Sequence, residues 1–213
     1  RIVKSALVSL CILAVVSVAA AAPISSDDMW VTPFPGVTPL GDVGTYRIAY
    51  QRYGGEAVDM PPGWSGDFTL DSGIAFRPVS HGNRPALLLH CPWRGGAGKV
   101  FVDYFLDLPT LTPISLEFGI AMKPSVATVD GNVVKSDGVT FSSCVILGDE
   151  IRELMREHYT LGDVKPFRFD LSAHAGQRIC LRLQTEPGPA NSPSFDFSRF
   201  VDPTLAVGDE RTS

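Results

Sequence analysis

Basic charge, metal-ligand clusters and nucleophile motifs are all scarce in this sequence, and each shortage removes a class of function. Its 213 residues hold 18 Lys and Arg against 23 Asp and Glu, a net charge of −5. No basic stretch of the kind that follows a phosphate backbone is present, so no nucleic-acid partner is expected. Only four cysteines occur. None has C-x-x-C spacing, which argues against a cysteine-built zinc site. The histidines, His81, His90, His158 and His174, form neither H-x-H nor H-E-x-x-H. No G-x-S-x-G elbow exists, since Gly63-Trp64-Ser65-Gly66 has the wrong spacing. Gly95-Gly96-Ala97-Gly98-Lys99 lacks the first glycine and the closing Ser or Thr of a phosphate loop. No metal and no cofactor are therefore expected. A structural calcium using carboxylates such as Asp137 or Asp196 is the alternative, without a D-x-D-x-D-G loop to support it.

Long apolar runs are also few, and one of them decides the compartment. Arg1 and Lys4 precede an apolar stretch over 6–18, which ends in Ala19-Ala20-Ala21-Ala22. A charged start, a short apolar centre and a small-residue end read as a secretory signal peptide over 1–22. The run is short for a membrane span of about 20 residues. Cys11 lies inside it and not at its end, so a lipid anchor is not expected. The mature protein is expected outside the cytoplasm, in the periplasm, at the cell surface or in the medium, with no membrane span. Of the cysteines, Cys91, Cys144 and Cys180 remain. At most one pair can close within the chain. All three sit in apolar, strand-like runs and are expected to be buried free thiols.

What the sequence has in quantity is turn residues, 20 Gly and 17 Pro. Residues 23–43 are a Pro- and Gly-rich lead-in, 44–207 a single domain, and 208–213 a tail. Within the domain, short apolar stretches alternate with Gly and Pro turns. Strands are predicted over 45–50, 73–79, 86–91, 99–108, 114–122, 139–147, 167–171, 179–183, 195–197 and 204–207. In 99–108, Val100, Val102, Tyr104 and Leu106 share one face and Phe101 and Phe105 the other. Phe141, Phe167, Phe169, Leu171, Leu181 and Leu183 are the expected core. Segment 150–159, EIRELMREHY, fits a helical turn and an irregular strand equally. No βαβ alternation is present. The reading is all-β, a jelly-roll-like antiparallel sandwich with a short helical turn as an option near 150–159.

Several motifs appear in a fixed order. His90-Cys91-Pro92-Trp93-Arg94-Gly95-Gly96 comes first. Ser136-Asp137-Gly138-Val139-Thr140-Phe141 and Asp170-Leu171-Ser172-Ala173-His174-Ala175-Gly176 follow, then Pro193-Ser194-Phe195-Asp196 and Asp202-Pro203. In this order they resemble the NPCBM-like carbohydrate-binding domains of secreted bacterial proteins, often attached to glycoside hydrolases. The resemblance spans roughly 42–207 and is strongest over 136–202. It implies a jelly-roll-like sandwich and carbohydrate as the partner.

Sugars offer a C–H face to an aromatic ring and a rim of hydroxyls to charged or amide groups. Trp93 with Arg94 is the leading candidate pair, because Pro92 and Gly95-Gly96 put it in a turn beside an apolar strand. Trp64, in a Pro-Gly-Trp-Ser-Gly loop, and Tyr53 complete the expected ligand site. Trp30 is expected to pack within the lead-in. Catalysis would need two carboxylates across a cleft, and Asp103, Glu117, Glu153 and Glu157 cannot be paired from spacing. The expected function is non-catalytic carbohydrate binding. A structural or protein-interaction sandwich and a polysaccharide-active enzyme are the alternatives. On the export reading, sequencing the N-terminus of protein recovered from the medium should give a start between Ala20 and Pro23. Retention of 1–18 on membrane-bound product would show an anchor instead.

Overall fold

The computed structural model describes residues 29–123, 126–129 and 132–208. The signal-peptide reading of 1–22 lies outside them, as does most of the 208–213 tail. Among the described residues the chain forms fourteen strands and no α-helix. No helix there is long and apolar enough to cross a membrane. The strands are β1 (Gly36–Pro39), β2 (Arg47–Arg52), β3 (Ala57–Asp59), β4 (Ala75–His81), β5 (Arg84–His90), β6 (Gly98–Asp107), β7 (Ile114–Met122), β8 (Val126–Val129), β9 (Asn132–Lys135), β10 (Val139–Leu147), β11 (Glu150–Tyr159), β12 (Lys165–Asp170), β13 (Arg178–Pro187) and β14 (Ser198–Val207).

One sheet has the order β11-β10-β13-β6-β2-β3. The other runs β12-β7-β14-β5-β4, with β1 also on β14, and β8-β9 is a separate hairpin. Pairing within both sheets is antiparallel. From β5 onward the chain passes repeatedly between the sheets, as in jelly-roll sandwiches.

The alternation predicted from sequence sets the faces. Val100, Val102, Tyr104 and Leu106 of β6 point inward with Ile179, Leu181 and Leu183 of β13, all buried. Phe141 of β10 meets Phe200 of β14 edge-to-face at 5.4 Å, and Phe200 meets Phe118 of β7 at 5.3 Å. These rings join the two sheets, burying apolar surface worth about 25 cal/mol per Å². Of the expected core, Phe141, Leu171, Leu181 and Leu183 are fully buried. Phe167 and Phe169 are half-buried, because β12 is the edge strand of its sheet and no strand covers its outer side among the described residues.

The helical option for 150–159 is overturned, since this segment is β11. Its register against β10 shifts between Ser143 and Cys144, so that Leu154 is the extra residue of a β-bulge. The bulge resets the alternation and turns both Leu154 and Met155 toward the core, which is why neither period fits the sequence. Pairing with β10 outweighs the helix propensity of Glu, Leu, Met and Arg. Part of the lead-in also joins the sandwich. Val31 exchanges backbone bonds with β6, and Trp30 packs edge-on against Phe105 at 5.6 Å.

On the outer face of the first sheet, Arg47, Asp103 and Arg182 stand opposite one another on β2, β6 and β13. Asp103 is 1% exposed. It accepts two bonds from Arg182, at 2.6 and 2.8 Å, and one from Arg47 at 3.1 Å. The Arg182 guanidinium covers the Phe101 ring at 3.8 Å. Cys144 and Cys180 lie half-buried on this face, Cys91 is buried, and all three are unbridged. Removing one member of a buried ionic set strands the others. Asp103→Ala should therefore lower unfolding free energy by about 3 kcal/mol in urea titration. An unchanged midpoint would show the clamp to be ornamental.

Candidate functional site

The loop following β5 carries the strongest sequence candidate, and backbone bonds fix its place. The amides of Trp93 and Arg94 both donate to the Ser72 carbonyl, each at 3.0 Å. Ser72 belongs to a turn in which the Thr69 and Ser72 hydroxyls lie 2.6 Å apart and Asp71 accepts the Ser72 amide. The indole lies flat against Gly73, where a Cβ would sit 2.4 Å from Trp93 Nε1 and φ is +73°. Only glycine serves there, for both space and backbone reasons. Trp93 is held in this way and still 44% exposed. The Arg94 guanidinium stacks over the indole at 4.5 Å and donates to the Leu70 carbonyl at 3.0 Å. Arg52 in turn donates to the carbonyls of Arg94 and Asp71, tying the two loops together.

Beside Trp93 opens a cleft of about 340 Å³, lined by Phe68, His90, Trp93, Pro193, Ser194, Phe195 and Phe197. Phe68, His90 and Phe197 meet edge-to-face, with centroids 5.0 to 6.1 Å apart. His90 is 3% exposed and its Nδ1 is 2.8 Å from the Cys91 carbonyl. Burial lowers its pKa to about 4, so at neutral pH the ring is uncharged. Nδ1–H then donates to Cys91 and Nε2 is left as an acceptor.

The far wall is the loop 188–197, which the two family-like aspartates hold. Asp196, fully buried, accepts the Ser136 hydroxyl at 2.6 Å, and Asp137 accepts the Ala190 amide at 3.0 Å. One oxygen of each, Asp137 Oδ1 and Asp196 Oδ2, is buried without a donor. Burial, with the Asp137 charge adding to it, raises the Asp196 pKa to about 7. The buried carboxyl is thus held closer to its neutral form than an exposed one. Calcium needs six to eight oxygens. Among the described residues no three His, Cys, Asp or Glu side chains gather as a metal site.

Of the residues singled out from sequence, Trp93 and Arg94 form one stacked unit. Tyr53 is 52% exposed. Its amide donates to Ala97 at the end of the same loop, and its hydroxyl pKa is raised by burial and by the Glu186 carboxylate. Trp64 is half-buried, lies against Gly66 and packs on the core. Sequence reasoning missed Phe68, His90 and Phe197. His90 stands just before the Pro-Trp-Arg turn and Phe197 closes the Ser-Phe-Asp-Phe segment, whereas Phe68, in the Gly66-Asp67-Phe68 loop, carried no signal.

No protein-family model matches the chain, and no curated protein matches it. Among solved structures the chain is similar to the carbohydrate-binding module TmCBM61, solved with beta-1,4-galactotriose. The identity is 14% and the TM-score 0.40, over 67% of this chain and 91% of that one. It is also similar to the enzymatically active domain of tailspike protein 4 of bacteriophage CBA120. There the identity is 6% and the TM-score 0.41, over 76% of this chain and 19% of that one. A third likeness is to a Bacteroides vulgatus ATCC 8482 protein provisionally described as a glycoside hydrolase. It has 11% identity and a TM-score of 0.38, over 81% of this chain and 98% of that one. All three likenesses are loose, and no function passes from them to this chain.

The two titrating groups behind the cleft oppose each other. Unfolded Asp196 releases its proton near pH 3.8 and folded Asp196 near 7, so its contribution to stability falls as pH rises between those values. Unfolded His90 binds a proton below 6.5 and folded His90 only near 4, so its contribution rises with pH across that window. Thermal melts from pH 4 to 7 should show Asp196→Asn gaining on the parent as pH rises. His90→Phe should lose ground to it. Parallel curves for all three proteins would refute both assignments.

Proposed function

We propose that the protein is a non-catalytic carbohydrate-binding domain that seats a sugar against the aromatic cleft at the loop end of the sandwich. The observation that carries this reading is the cleft's chemistry. A half-exposed indole is held in place by backbone bonds and backed by a guanidinium. Beside it stand Phe68 and Phe197 and a neutral His90. Flat rings suit the C–H face of a pyranose, and the remaining Arg94 donors and His90 Nε2 suit its hydroxyls. The pieces are fixed before a ligand arrives, which lowers the ordering cost of binding. The resemblance of 136–202 to NPCBM-like domains supports the same reading. Glycoside hydrolysis would need two carboxyl groups flanking the bond. No carboxylate lines this cleft, which is why binding is preferred to the enzyme reading. Export by residues 1–22 would place the domain where extracellular glycans are met.

Affinity electrophoresis or pull-down on cellulose, chitin, xylan, mannan and β-1,4-galactan tests the proposal. One of them should retain the protein. Trp93→Ala should weaken that retention by about 1–3 kcal/mol, by analogy with aromatic stacking on bases, with little change in melting temperature. Early melting with a loss of about 3–5 kcal/mol would mark Trp93 as a packing residue. Failure on all five polymers would count against sugar binding.

A further inference from the structure

A larger cleft lies elsewhere, in the middle of the second sheet. It measures about 500 Å³, within the range of pockets that bind small ligands. Its origin is an interruption in β14. That strand pairs with β5 through Val201 and with β1 from Thr204 onward. Between them, Asp202 and Pro203 leave the ladder as a bulge, opposite Phe118 of β7. Pro203 has no N–H to donate. Asp202 has φ of +46°, a strained value for a residue with a side chain, and Arg84 pins its carboxylate at 2.6 Å. Because β5 and β1 do not meet, the sheet has a gap. There an open cleft borders residues of the core layer, Leu87, Phe118 and the half-buried Phe167.

Bulges and strained backbone are concentrated at functional sites, and this gap has the composition of one. Its accessible walls include Pro39, Pro85, Pro166 and Phe167, which are rigid and apolar. Its polar groups are mostly carboxylates, with the Thr204 hydroxyl and the Arg84 guanidinium that Asp202 holds. Asp42 is exposed at the mouth, Thr204 sits on the floor strand, and Glu117 lies 3.6 Å from Arg168. Stiff apolar walls with a few carboxylate acceptors match the C–H body and hydroxyl rim of a sugar ring. A fatty chain would leave these polar groups unmatched, and an anion would meet three carboxylates, Asp42, Glu117 and Asp202, against one lining cation, Arg84, that Asp202 already engages.

We infer that the gap beside the β14 bulge is a second sugar site, taking another ring of the glycan held at the loop end. The inference rests on the carbohydrate-binding reading above. Phe197 of the first cleft immediately precedes β14, and Asp202 lies on it, so the two sites are about 15 Å apart along one extended strand. That distance is within the span of one short oligosaccharide. Two weak sites on one polymer raise its apparent affinity without any new contact.

The test is amide chemical-shift mapping with glucose, galactose, N-acetylglucosamine and the tetrasaccharide of whichever polymer retains the protein. Two separate sets should move, one including Phe68 and Phe197, the other Gly119 and Val201. Val79→Trp, which fills the second cleft from β4, should silence only the second set and weaken retention on the polymer about tenfold or more. Asp42→Ala, at an exposed position, should weaken the second set severalfold, and this variant covers the case in which the larger change misfolds. Movement of the first set alone, or unchanged polymer retention in both folded variants, would overturn the second site and leave the binding reading standing. Movement of the second set alone would overturn the loop-end site and keep this one. Stillness of both sets would overturn both.

Discussion

A strand has only two edges, and β14 must serve three partners. One edge is taken by β7 on both sides of the bulge. The other is shared, first by β5 and then by β1. The bulge in the β7 ladder falls where β14 changes neighbour on its other edge, in mid-course. Phe200 reaches the core from this strand and is the ring through which Phe118 and Phe141 join the two sheets. The same strand begins beside the aromatic cleft, where the buried Ser198 hydroxyl donates to the Leu89 carbonyl just before His90. Core, cleft and gap therefore share one backbone segment, and a register slip there would disturb all three.

The rest of the loop end shows how a sandwich makes a site without giving it a strand. Trp93 is presented by loops, yet almost none of the backbone that holds it is left to choose its own path. Ser72, Gly73 and Arg52 fix it from one side. Asp137 and Asp196 brace the opposite wall from below. Burying a carboxyl with an unpaired oxygen is costly, and the fold accepts that cost at the root of the 188–197 loop. Phe195 in that loop has φ of +62°. Backbone strain and buried unpaired carboxyl oxygens thus meet behind the cleft.

Much of the fold was legible in the amino-acid pattern, because alternation and turn residues are local signals. Ile114–Met122 and Val139–Leu147 are found with the predicted bounds. Of the two short strands expected over 195–197 and 204–207, only the second is found, as the end of β14, which begins at Ser198 and runs through a bulge at Asp202-Pro203; residues 195–197 form a turn and irregular backbone instead. Residues 150–159 were ambiguous because a bulge disrupts the two-residue period, and bulges are set by the partner strand. The site was legible only where one turn announces itself, at Pro92-Trp93-Arg94-Gly95. Phe68, His90 and Phe197 come together through tertiary contacts across widely separated segments, which spacing cannot report. Trp64 looked exposed for being in a Gly-rich loop, but the loop folds its indole onto the core.

The bulged outer strand of the first sheet has a consequence for how these molecules meet. β11 offers Glu150, Arg152, Glu153, Arg156 and Glu157 along an edge whose far side has no hydrogen-bonding partner among the described strands. A second copy arriving there would find its donors and acceptors thrown out of step at Leu154, and charges set against charges on either side of it. Edges guarded in this way resist being extended by another chain. Crowded copies are thereby kept from fusing into a ribbon through this edge.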